Sequence, residues 1–75
     1  MARNREAEVI AAGIAGVLWA GFTNQEKTLV RFGMFPAEKM ATAEAELRLH
    51  AGRDTVRLLA VALMDCAKAD GGMRA

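Results

Sequence analysis

The chain has 75 residues, of which 53% are hydrophobic and 25% charged, and its net charge is +1. A disordered tail needs few apolar residues and a lopsided charge, and a nucleic-acid-binding arm needs a basic excess. Ten Lys/Arg against nine Asp/Glu supply neither. One Cys and one His exclude a disulfide framework and an ordinary zinc site, so no metal and no cofactor are expected.

The apolar inventory is thin. Sixteen residues are Ala, and 23 are Leu, Ile, Val, Met, Phe or Trp. A single domain over 1–75 is marginal at this size without a covalent or metal staple, so self-association or a protein partner is the expected supplement. Abundant Ala with sparse Val, Ile and Thr favours helix over strand. Glycines at Gly21, Gly33, Gly52 and Gly71-Gly72 divide the chain into segments.

The first segment opens at Asn4, a good N-cap, with Glu6 and Glu8 in the first turn where acids complement the helix dipole. From Val9 to Phe22, 14 consecutive residues are apolar or glycine. Ile10, Ile14, Val17 and Leu18 with Ala7 and Ala11 form a bulky face, expected to turn inward. Ala12, Gly13, Gly16 and Ala20 form a small one, which leaves Gly16 and Trp19 near a boundary. At ~1.5 Å per residue the run is too short for a hydrocarbon core of about 30 Å. Glu6 and Glu8 offset Arg3 and Arg5, unlike the basic start of a signal peptide. Membrane insertion is therefore disfavoured and a cytoplasmic location expected.

Thr23-Asn24-Gln25-Glu26 reads as a capping box opening a short second helix that ends at Gly33. A strand over Thr28–Phe35 is the alternative, because period-2 and period-3.6 patterns fit that run equally well. Pro36 suits the start of a third helix reaching Ala51, with Met40, Ala43, Leu47 and Ala51 on one stripe. Asp54 is positioned to cap a fourth helix that ends before Gly71, with Val56, Leu59, Leu63 and Cys66 as its main face and Leu58, Val61 and Met64 left over. Residues 1–3 and 71–75 are expected to fray. The expected fold is all-α, a compact dimeric bundle of four helices with the second one short.

No catalytic constellation is present in the sequence. Cys66 falls on an apolar helix side and lacks a neighbouring base, while His50 near a helix C-terminus is explained by the dipole. Glu44 and Glu46 point to different sides of one helix, so they make no acid/base dyad. Gly13-x-x-Gly16 lacks the Lys and hydroxyl of a phosphate loop.

The stretch from Gln25 to Glu38 superficially resembles a DNA-binding helix-turn-helix. However, Leu29 occupies the place of a small residue, and Glu38 and Glu44 would face phosphates. The four aromatic residues Trp19, Phe22, Phe32 and Phe35 surround the early turns, with Phe32 assigned to the core.

The remaining function class is a non-catalytic protein-interaction module, a small regulator or inhibitor that occupies a partner's surface. A phage or mobile-element accessory protein acting on a host or defence complex is one concrete version. Its interface candidates are Gly16, Trp19, Phe35, Leu58 and Val61, and a homodimer is expected. The alternative is a helix-turn-helix transcription regulator, although nucleic acid is a disfavoured partner, and the third reading is a membrane-associated small protein.

Overall fold

The computed structural model describes residues 5–72, and every regular element among them is helical. Helix α1 spans Arg5–Ala20 and α2 spans Asn24–Arg31. The third helical body, α3, covers residues 37–72. It has an N-terminal arm Ala37–Ala51, a 3₁₀ turn Gly52–Asp54 and a C-terminal arm Thr55–Gly72.

Among the described residues there are therefore three helical bodies, not the four expected. Gly52 was expected to stop one helix and Asp54 to cap the next. Instead the chain bends without leaving the helix. The Gly52 N–H donates to the Arg48 carbonyl, and the Gly52 carbonyl then accepts both the Thr55 N–H and, at 2.7 Å, the Thr55 hydroxyl. The bend needs φ +57° and ψ −118° at Gly52, a conformation in which a Cβ is strained. Asp54 sits inside the turn and pairs with Arg57 at 3.7 Å, both exposed.

The ends differ too. The C-terminal arm continues through Gly72 instead of stopping before Gly71. The Asn4 cap and the fraying expected at residues 1–3 and 73–75 lie outside the described residues.

Helix α2 forms as the sequence indicates. The Thr23 hydroxyl accepts from the Glu26 N–H at 3.1 Å and the Glu26 carboxylate accepts from the Thr23 N–H at 2.8 Å, a complete capping box. At the other end Gly33, at φ +82°, donates to the Val30 carbonyl at 2.8 Å while the Met34 N–H reaches the Leu29 carbonyl at 2.9 Å. That pair of bonds is a Schellman stop, and it leaves no strand over Thr28–Phe35.

Helix α1 lies across both arms of α3, while α2 packs on the C-terminal arm, where Arg31 meets Asp70 at 3.3 Å. The core is formed by Ala7, Ala11, Ala15 and Trp19 of α1, Phe22, Val30, Met40, Ala43 and Leu47, and Leu59, Leu63 and Ala67. This shifts the expected rotation of α1: Ala7 and Ala11 turn inward as expected, but Ala15 and Trp19 complete the inner line in place of the bulky residues. The bulky Ile10, Ile14 and Leu18 are half-buried against the edge of the core, and Val17 is 78% exposed. The alanines at i, i+4 and i+8 turn inward because small side chains let the α1 backbone approach both arms, where Leu47, Leu59 and Leu63 supply the volume. Close approach through small residues was the right principle applied to the wrong face.

On the C-terminal arm Val56, expected on the inner face, is 54% exposed, and Thr55 is buried in its place with its hydroxyl satisfied. Phe32 is likewise not core: it follows the last residue of α2 and projects outward at 76% exposure.

Candidate protein-interaction site

Rotating α1 by its alanines puts Val9, Ala12, Gly13, Gly16, Val17 and Ala20 on the solvent side. No charged or hydroxyl side chain occurs from Val9 to Phe22, so this outer face is apolar beyond the first turn, where Arg5 and Glu6 are exposed. A surface helix ordinarily carries polar residues there. Val9 is 71% exposed, and a Cβ built on Gly13 or Gly16 would meet nothing within 4 Å. Neither glycine is needed for packing within the chain.

Grooves run along both flanks of α1. The one against the N-terminal arm has a volume of about 740 Å³. Ile10, Gly13, Ile14 and Val17 line it, with Lys39 and Glu46 at its rim. The one against the C-terminal arm has about 460 Å³ and is lined by Ala12, Leu58, Val61 and Cys66, with Glu8 and Arg57 beside them. Together the outer face and the two grooves form one continuous surface around α1.

Of the expected interface residues, this surface brings together Gly16, Leu58 and Val61. Gly16 is open on the outer face, Leu58 is half-buried, and Val61 is half exposed along the smaller groove. Trp19 is elsewhere. It is 9% exposed, belongs to the core, and meets Phe22 edge-to-face with ring centroids 6.1 Å apart. Two basic side chains of α2 cover it, the Lys27 ammonium at 5.4 Å and the Arg31 guanidinium at 5.6 Å from the ring centroid. Cations over an indole face bind its negative quadrupole, so Trp19 ties α2 to α1 and is not a boundary residue. Phe35 is half-buried and packs on the core from the α2–α3 connection.

Sequence reasoning missed Val9 and Val17, the two large residues of the outer face. The unbroken line Ala7, Ala11, Ala15, Trp19 at four-residue spacing was the signal that could have found them.

Lys39, beside the larger groove, is engaged within the chain. The Lys39 ammonium donates to the Glu26 carboxylate at 2.8 Å and to the Gly21 carbonyl at 3.4 Å, and lies 5.8 Å from the Phe22 ring. Lys39 would be the leading basic residue of a recognition helix, and here it is held against the protein's own carboxylate. The Glu26 carboxyl is held below its ordinary value, first by the Lys39 hydrogen bond and then by the Thr23 N–H. Burial pushes the Cys66 thiol up, and neighbouring Asp65 adds to the shift, which disfavours the thiolate a nucleophile needs.

Among the described residues, no group of three or more His, Cys, Asp or Glu could hold a metal, and no helix is long and apolar enough to cross a membrane. No protein-family model matches the chain, and no curated protein or solved structure matches it.

Proposed function

We propose that the chain is a non-catalytic protein-interaction module, a small regulator or inhibitor that works by covering another protein's surface and that also self-associates. The observation that supports this reading is the outer face of α1, where Val9 and Val17 are 71% and 78% exposed and no polar side chain occurs from Val9 to Ala20. A contiguous apolar surface of this kind, rimmed by Lys39, Glu46 and Arg57, has the anatomy of a protein-docking patch with a polar edge. The partner it suits is an apolar protein surface with little charge at its centre.

The test is affinity capture from native cells with the wild-type chain and with a Val9→Lys/Val17→Lys variant, followed by binding measurements on the purified captured protein. The wild type should bind that protein directly, and the variant should lose at least tenfold in affinity while its helical circular dichroism stays unchanged. Equal binding by both chains, or no partner retained by either, rejects the reading.

A further inference from the structure

The groove between α1 and the N-terminal arm carries a size pattern that points to its occupant. Ile10, Gly13 and Val17 line it, and Ala20 is exposed beside them. Their spacing of three, four and three residues places all four on one seam, as in a two-helix coil. Sizes alternate along the seam as large, small, large, small.

Run antiparallel against itself about the level of Ala15, the seam pairs Ile10 with Ala20 of a second copy and Gly13 with Val17 of that copy. Each level then sets a large side chain on a small one, and the symmetric three-four-three spacing keeps every level in register. An unrelated helix would have to bring the complementary order, whereas a second copy brings it by symmetry. We propose that this groove is the seam of a two-fold dimer of the chain, with Val17 of each copy seated over Gly13 of the other. The proposal rests on the reading of the α1 surface as a docking site and names its occupant.

Two further features agree. The rim has one positive group, Lys39, toward the α1 C-terminus, and one negative group, Glu46, toward the other end. A two-fold axis across the groove brings Lys39 of one copy toward Glu46 of the other, twice. Lys39 makes two hydrogen bonds within the chain, which leaves one ammonium proton for that contact. A net charge of +1 adds little repulsion between copies.

Size sets the affinity. A stable interface needs about 800 Å² from each partner. Helix α1 has 16 residues, a length of ~24 Å, and supplies only part of that area, with the groove rims supplying the rest. The dimer is accordingly weak, with a dissociation constant of about 1–100 µM.

Sedimentation equilibrium on the purified chain up to about 300 µM, several times that dissociation constant, tests this. The wild type should form dimers. Gly13→Leu should raise the dissociation constant at least tenfold while keeping its helical circular dichroism, because nothing lies within 4 Å of a Cβ there and the helix gains a better former. Val17→Glu, at a position 78% exposed, gives an independent check that a folded single chain tolerates. A wild type that stays monomeric overturns the dimer, and a dimer untouched by both substitutions overturns this seam. A monomeric wild type also removes the self-association from the proposed function, whereas docking of a different protein is decided separately by the capture experiment.

Discussion

Trp19 shows how far one residue's role depends on helix rotation. As a boundary residue it would lose little stability on truncation. Buried at 9% exposure, against Phe22 and under Lys27 and Arg31, it should lose much. Deleting a buried aromatic side chain costs about 3–5 kcal/mol. At roughly 0.05–0.15 kcal/mol per residue, a chain of 75 residues has about 4–11 kcal/mol in total. Trp19→Ala is therefore expected to lose at least about a quarter of the folding free energy, read from urea unfolding followed by circular dichroism. An unchanged midpoint would return Trp19 to the surface.

The rotation was hard to read because α1 is apolar on every side from Val9 onward, so periodicity alone does not separate inner from outer positions. Only the volume available between two arms decides that four-residue steps of Ala go inward. Val17, with no polar neighbour on its face, gave no warning that it was the exposed member of its stripe.

At the level of elements, local chemistry was legible where it is self-contained. The α2 capping box and its glycine stop involve residues no more than five apart, and both formed as written in the sequence. Gly52 was legible as a turn but not as a bend inside a continuing helix, since a glycine in the same place serves either purpose. The two kinds of glycine predict opposite responses. Gly52→Ala forces a Cβ into φ +57° and should destabilise the fold by about 1–3 kcal/mol. Gly16→Ala, in mid-helix with nothing within 4 Å of the new methyl, should stabilise it by about 0.5–1 kcal/mol. Thermal unfolding of the two variants should move in opposite directions, and a shared direction would reject this account of α3.

Across the whole molecule, the all-helical class and much of the core were legible from composition and spacing, including Met40, Ala43 and Leu47 on their stripe and Leu59 and Leu63 on theirs. The candidate interaction surface was legible only in part. Leu58, Val61 and Gly16 stand on it, but its flanking groove exists only once α1 meets the N-terminal arm.

The contact between Glu26 and Lys39 joins α2 to α3 and makes the fold respond to acid. The folded-state pKa of Glu26 is depressed below its ordinary value of 4.5. Its contribution is therefore present above that value and is lost as pH falls through the lower, folded one. Glu26→Gln should flatten the fall in melting temperature below about pH 4.5, while an identical acid profile would assign the loss to other carboxylates.

The inward alanines of α1 also bear on how the chain is made. Ala7 enters the same buried interior as residues up to Ala67, at the far end of the chain. At about 5–20 residues per second, a ribosome needs roughly 3–12 s to travel between them. Through that interval this helix, apolar on every side from Val9 onward, has been made while the arm that covers its alanines is still being synthesised. The adhesive helix is thus translated ahead of the arm that covers it, and it must stay free of neighbouring nascent chains until that arm follows.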